Sequence, residues 1–273
     1  MEEREIKISQ SLIKALRFDE LDEPQVCPKL VKLQYIDGMF DSPSTVMQYG
    51  NYFETQILGS NKDGSRTDDL PRTFKRGEKT TDHQRIDDMV DEFKNVVIPE
   101  YMLDVESHPH IELEAQLPGI PYPIVGHLDL VSDIMDPTID PDNKIGPVII
   151  DLKITADLGA TYGPFPWGAP YRMDHLQAKF YQYLWEEQYG EPTYFYYFVA
   201  EYGPKRNWKV FRRDRKPLDK QEVKEAIRKT SSYLDEWLKP SDFPIKPNYE
   251  DCSRCPLGGS CPGYRIGRSV EII

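Results

Sequence analysis

The sequence predicts an α/β protein, a mixed β-sheet flanked by helices. Three observations carry that expectation. Helical patterns fill the first hundred residues, strand patterns follow, and a long helix with a turn-rich tail closes the chain. The run Pro147-Val-Ile-Ile-Asp-Leu-Lys-Ile is short and apolar, as in a strand covered on both faces. With 273 residues, 39% apolar and 29% charged, the chain has material for a buried core, and wholesale disorder is excluded.

The elements follow in order. Residues 8–40 read as two short helices around Cys27; Ser9 or Ser11 caps the first, and Pro28 suits the opening turn of the second, 28–37. Helix is expected over 44–58 and 82–97. Between them the polar, Gly- and Pro-marked stretch 59–81 reads as a mobile surface excursion. Ile111, Leu113, Ala115 and Leu117 alternate with Glu112, Glu114 and Gln116, and a Pro-Gly-Ile-Pro turn leads to a hairpin partner over 124–132. A central strand (147–154), a helix (173–189), strands 194–201 and 208–213, and a helix over 218–238 complete the pattern. That last helix carries a stripe of Val223, Ile227, Leu234 and Leu238, with Trp237 beside it. The whole reads as one domain, 1–273: N-terminal helices (8–58), the excursion (59–81), a sheet core (100–216), and a C-terminal helix with a cysteine knuckle (217–273).

Thirty-four Lys and Arg face 46 Asp and Glu, a net charge of −12, so bulk attraction to nucleic acid is not expected. Any phosphate-binding role must rest on a local basic patch or on metal ions. No apolar run approaches the roughly 20 residues of a membrane span, and the opening Met1-Glu-Glu-Arg-Glu-Ile-Lys lacks a signal-peptide pattern. The expectation is a soluble intracellular protein, cytoplasmic or nucleoid-associated.

Three of the four cysteines form Cys252-x2-Cys255-x5-Cys261 in a Pro- and Gly-rich knuckle; the fourth is Cys27. Clustered thiols in a reducing compartment bind metal more readily than they form disulfides. On ligand chemistry, four thiolates suit Zn²⁺ or an iron–sulfur cluster equally. Solvent-facing loop cysteines without metal are the alternative.

Charged groups also fall inside apolar strand patterns. Asp129 lies in Val125-Gly-His-Leu-Asp-Leu-Val, and Asp151 and Lys153, two apart and so on one face, lie in Ile149-Ile-Asp-Leu-Lys-Ile. A buried unpaired charge costs several kcal/mol, so these groups pair with one another or share a cation; two carboxylates suit Mg²⁺ or Mn²⁺. The alternative is an Asp151–Lys153 ion pair with Asp129 capping a turn.

Gly126-His-Leu-Asp129, Asp151-Leu-Lys153 and Gln177-Ala-Lys-Phe-Tyr181, taken in order, resemble the G-x-x-D, D-x-K and Q-x-x-x-Y pattern of the RecB-type branch of the PD-(D/E)xK nuclease superfamily. The cysteines are similar to those of its iron–sulfur members, the AddB-like nucleases and the exonucleases of CRISPR adaptation. The resemblance spans Cys27 to Cys261 and implies a restriction-endonuclease-like fold, its N- and C-terminal segments joined by a cluster of four cysteines. It implies Asp129 and Asp151 as metal ligands with the Leu152 carbonyl, and Lys153 as the group that aligns the attacking water. Gln177 and Tyr181 would support the lysine and contact the DNA strand. Where many relatives have G-x-x-x-H, Gly50-Asn-Tyr-Phe-Glu54 offers Glu54 as a further ligand or as a solvated helix residue. The resemblance favours [4Fe–4S] over Zn²⁺ at Cys27, Cys252, Cys255 and Cys261.

His127 shares a face with Asp129 and reads as a bystander, Glu114 as a solvent-facing acid; His83, His108, His110 and His175 suggest no partner. Lys205, Arg206, Lys209, Arg212, Arg213, Arg215 and Lys216 make a basic stretch interleaved with Trp208 and Phe211. It is either a DNA-backbone contact with an aromatic for stacking or a solvated hairpin. Arg72, Lys75, Arg76 and Lys79 are expected to close over a strand, and Trp167 to stand at the cleft mouth and shape which strand end enters.

The function expected is a Mg²⁺- or Mn²⁺-dependent DNA exonuclease acting on single-stranded ends in recombination, repair or phage replication, with a homo-oligomer or a recombination protein as partner. The alternatives are a non-catalytic DNA-binding or assembly subunit and a nuclease trimming CRISPR pre-spacers.

Overall fold

The computed structural model describes residues 6–39, 44–70, 78–238 and 243–263. The chain divides into two compact units: Met1–Ser42, Glu114–Val125 and Lys220–Ile273 in the first, Pro43–Leu113 and Gly126–Asp219 in the second.

The first unit begins with β1 (Ile8–Ser9), parallel to Ile124 and Val125, and α1 (Gln10–Leu16). Of the two candidate serines, Ser9 is the cap: its extended backbone lets Oγ accept from the Leu12 N–H. Cys27 directly precedes α2 (Pro28–Val31), with Pro28 in the first turn where no N–H is needed, and the chain continues as one π-helical turn, Lys32–Ile36.

In the second unit, Ser44 accepts from the Met47 N–H to cap α3 (Thr45–Leu58), and Thr80 accepts from the His83 N–H to cap α4 (Thr81–Glu92). α3 stops at Gly59, whose φ of +86° is a conformation that side-chain-bearing residues resist. After α4 a π turn, Phe93–Val97, leads to α5 (Ile98–Tyr101). The expected hairpin is β2 (Glu112–Ala115) and β3 (Ile124–His127), neighbours in a sheet of order β1-β3-β2.

The stretch 124–132 is not one strand. β3 ends at His127, and β4 (Leu130–Met135) opens a second sheet of order β4-β5-β6-β7, with β5 (Lys144–Thr155), β6 (Phe195–Glu201) and β7 (Asn207–Arg213). Leu128 and Asp129 occupy the break; the Leu128 N–H donates to the Ile111 carbonyl, and the Asp129 carbonyl accepts from the His110 N–H. Apolar residues continue through both halves, so alternation alone could not reveal the change of sheet. β5 pairs antiparallel with β4 and parallel with β6, and β6 pairs antiparallel with β7. Parallel neighbours need a crossover of a dozen or so residues, and α6 (Leu176–Tyr189) supplies it. Every residue of β6 is buried. Phe53 and Ile57 of α3 and Ile86 and Met89 of α4 pack with Ile150 and Leu152 of β5 in one core.

α7 (Asp219–Leu238) starts at the last residue of the second unit and runs on in the first. Val223, Ile227, Leu234 and Trp237 are buried, but Leu238, expected on the stripe, is 42% exposed at the helix end, and Trp237 fills that role. α8 (Tyr249–Ser253) is capped by Asn248. No helix among the described residues is long and apolar enough to cross a membrane.

Candidate active site

Asp129, Asp151, Lys153, Gln177, Tyr181 and Glu54 all belong to the second unit, and the fold gathers them. β5 presents Asp151 and Lys153 on one face; Asp151 is 1% exposed and ion-paired with the Lys153 ammonium. The Gln177 amide, from the first turn of α6, donates to Asp151 Oδ1 at 2.8 Å. One turn on, Tyr181 is buried, and burial raises its phenol pKa. Gly126 has a steric reason: a Cβ there would lie 3.0 Å from Leu184 Cδ1 and 3.1 Å from the Tyr181 ring. Glycine here, three residues before Asp129, thus lets α6 close on the end of β3. At Gly50 a Cβ would meet nothing within 4 Å, so the upstream glycine has no steric role.

Asp129, 2% exposed at the break between sheets, accepts from the Leu152 N–H through Oδ2 at 2.7 Å. Through Oδ1 it pairs with Lys62. Burial pushes the Asp129 carboxyl up, but the Lys62 and Lys153 ammonium groups hold it below the usual carboxylate range. Asp151 goes the other way: burial outweighs Lys153 and its carboxyl is raised, Asp129 adding to the rise. Glu54, on α3, is pushed up to about 7 by burial and then by the Asp129 charge, with Asp151 also contributing. Its Oε1 is buried without a hydrogen-bond partner, 3.6 Å from His110 Nδ1. His110 itself sits at φ +55°, a conformation uncommon for a side chain bearing Cβ, and burial lowers its imidazole pKa.

Two of these groups were not visible in the sequence. Lys62 lies in the stretch expected to be a mobile excursion, and nothing in Gly59-Ser-Asn-Lys-Asp-Gly-Ser marks it as more than a turn. His110 stands nineteen positions before Asp129 by number and reaches the site only through the pairing of its N–H with the Asp129 carbonyl.

The three carboxyl groups, with a buried Glu54 oxygen that has no hydrogen-bond partner, offer oxygen donors of the kind that could hold a hard divalent ion, while the two ammonium groups supply positive charge beside them. Among the described residues no three acidic, histidine or cysteine side chains are drawn together closely enough to hold one; one oxygen of Asp129 and one of Asp151 are paired with lysines instead. The Asp151–Lys153 ion pair weighed from the sequence is therefore present, alongside the wider constellation. His127 is the expected bystander, half exposed and 3.7 Å from Glu112, and Glu114 is exposed.

The basic stretch is largely spoken for. Arg213 is buried, donating to Asp219 at 2.7 Å and Gln182 at 2.8 Å, which corrects its expected place on a DNA-facing surface. Arg212 pairs with Asp214 at 2.7 Å and donates to Thr138 at 2.8 Å; Arg206 pairs with Asp88, and Arg215 with Glu186. Lys205, Lys209 and Lys216 are exposed. Trp167 is 2% exposed, stacked 5.6 Å from Phe165 and packed against Tyr197 and Phe211, so its ring is core rather than cleft mouth. A large aromatic ring gains more by burial than at a solvent-exposed loop tip. Lys79 pairs with Asp87; Arg72, Lys75 and Arg76 lie outside the described residues.

In the first unit, Cys27, Cys252, Cys255 and Cys261 line one small cavity, all as free thiols. Burial raises the Cys252 pKa, and the other three cysteines raise it further. Asp251, 1% exposed, ties the two ends together: one oxygen accepts from the Cys27 N–H and the Asn248 amide, both at 2.6 Å, and the other from Arg17 at 2.6 Å. Sequence reasoning missed it, since a lone Asp beside a cysteine carries no pattern.

The chain resembles two solved structures in fold. A protein of Eubacterium rectale proposed to be an exonuclease aligns with a TM-score of 0.60 at 16% identity, covering 98% of this chain and 90% of that one. A phage-related exonuclease from Haemophilus somnus 129PT aligns with a TM-score of 0.39 at 14% identity, covering 88% of this chain and 98% of that one. Among curated proteins, none matches. The family model of the PD-(D/E)XK nuclease superfamily matches residues 26–262, a span that holds every acid, lysine and cysteine described above. With its D-x-K strand, crossover helix and buried carboxylates falling within that match, the chain belongs to the PD-(D/E)XK nuclease superfamily.

Proposed function

We propose that the chain is a Mg²⁺- or Mn²⁺-dependent deoxyribonuclease, an exonuclease acting at single-stranded DNA ends in recombination, repair or phage replication inside the cell. The observation that carries this reading is the meeting of Asp129, Asp151 and Glu54 with Lys153 in one buried polar site. Burying that many ionisable groups is costly even when lysines compensate them, and such clusters of perturbed carboxyls mark functional sites.

Asp129, Asp151 and Glu54, with the Leu152 carbonyl, would hold the metal, which supplies Lewis-acid activation of the scissile phosphate and the attacking water. The chain's own groups do the rest. Lys153 orients the water and offsets negative charge building on the phosphate. Gln177 fixes the Asp151 carboxylate by its hydrogen bond, and Asp129 is fixed by the Leu152 N–H. Exposed Lys205, Lys209 and Lys216 offer backbone contacts. The four thiols fit a soft metal centre, and we assign them a structural [4Fe–4S] cluster, with Zn²⁺ as the alternative.

The test is digestion of end-labelled single-stranded DNA with Mn²⁺ by anaerobically purified protein. Asp151→Asn should lower the rate by about a thousandfold while DNA binding in Ca²⁺ persists. Equal activity of wild type and variant, or no cleavage by the wild type, leaves a DNA-binding subunit as the reading.

A further inference from the structure

We propose that Lys62 is a positioning residue of the site, a resident cation that holds Asp129 until a divalent ion takes that carboxylate and then turns its ammonium to a phosphate of the DNA strand. The inference rests on the metal-dependent nuclease reading above and adds to it a residue outside the three motifs.

The loop carrying Lys62 is built to hold it. Asn61, 6% exposed, donates from Nδ2 to Ser65 Oγ at 3.1 Å and to Thr67 Oγ1 at 3.2 Å, and its Oδ1 accepts from Thr55 Oγ1 at 2.8 Å. Thr55 is 1% exposed on α3, one residue after Glu54, and its Oγ1 also accepts from the Thr67 N–H at 3.1 Å. The Gly64 N–H returns to the Asn61 carbonyl at 2.9 Å, closing a tight turn around Lys62. Buried hydrogen-bonded groups of this kind specify a conformation, and here the conformation delivers an ammonium to Asp129.

The charges explain what the ammonium does there. Asp129 and Asp151 are both nearly inaccessible, and each has one oxygen facing a lysine. Lys153 lies on the same strand as its partner and stays beside it. Lys62 comes from a loop on a long, unbranched stem, 30% exposed along its side chain, so it can leave Asp129 without leaving the site. With a divalent ion on Asp129 the Lys62 ammonium would be repelled, and the anion left for it to meet would be a phosphate of the bound strand. The exchange keeps the carboxylate compensated at each stage, which a buried acid requires.

Two binding measurements test the exchange without reading turnover. In Lys62→Met, Mn²⁺ alone should bind about tenfold more tightly than in wild type, because the competing cation is gone. Binding of a single-stranded oligonucleotide in Ca²⁺ should weaken, and its log K against log salt should lose a slope of about 0.7, one phosphate contact. Lys62→Arg keeps the charge and should preserve the salt slope, even if Lys62→Met folds less well. Unchanged Mn²⁺ affinity and salt slope in Lys62→Met overturn the proposal while a cleaving wild type leaves the nuclease reading standing. A wild type that binds no Mn²⁺ overturns both.

Discussion

The acid pocket of the second unit and the thiol pocket of the first face one physical problem and meet it differently. Each gathers groups that repel one another when ionised. In the acid pocket the chain provides its own counter-charge, Lys62 on Asp129 and Lys153 on Asp151. Around the thiols Arg17 and Arg254 are turned to Asp251, Lys29 lines the cavity beside them, and burial, then the neighbouring cysteines, make Cys252 hold its proton more firmly. A pocket with resident lysines can fold first and take metal later. A pocket of protonated thiols has more to gain from a metal, which would release their protons as it binds.

The experiment most able to break this contrast removes a sulfur. If the thiols hold iron or zinc as proposed, Cys252→Ala is expected to purify without it and to lose about 4 kcal/mol of stability, roughly a 10 °C fall in melting temperature. A variant with unaltered metal content and melting temperature would put the two pockets on the same footing. Asp251→Ala sharpens the comparison, since this clasp works with or without metal. It takes the acceptor from the Cys27 N–H and the Asn248 amide and one of Arg17's partners, and should cost about 3 kcal/mol in both loaded and metal-stripped protein, read by urea unfolding.

Glu54→Gln probes the acid pocket in the metal-free protein. The Glu54 carboxyl moves from 4.5 to about 7 on folding, so the folded chain favours its protonated form. That contribution is whole below about 4.5 and fades as the pH rises through about 7. In EDTA, Glu54→Gln should therefore match wild type near the lower pH and exceed it by about 2 kcal/mol above the higher one. A difference that does not change with pH would show that the pocket imposes no strain on Glu54. The smallest effect belongs to the exposed lysines: Lys209→Ala should change stability by less than about 0.5 kcal/mol and reduce the salt slope of single-stranded DNA binding by about 0.7.

Much of the fold was legible because its signals are local. Ser9, Ser44 and Thr80 cap helices through hydrogen bonds within four residues, and the alternation of β2 shows in the sequence, although the change of sheet after His127 does not. The D-x-K strand and the Q-x-x-x-Y helix followed from spacing and resemblance, and Gly126 is required by the approach of Tyr181. Where the reading fell short, a contact distant in sequence decided the outcome. Trp167 and Arg213 look like surface binders by composition, yet a ring stack and the Asp219 carboxylate draw them inside. Leu238 fits the periodic stripe but falls where the helix has run past its cover.

By itself the sequence determined the helix starts, the central strand, the order of motifs and the identity of the charged groups that a core must somehow accommodate. Only the tertiary structure decided that Asp129 stands at the break between two sheets, that Lys62 and His110 join it, and that most of the basic hairpin is already paired. The physical reason is range. Capping, alternation and spacing act between near neighbours along the chain, whereas the compensation of a buried charge is settled by whichever opposite charge the folded backbone brings within reach.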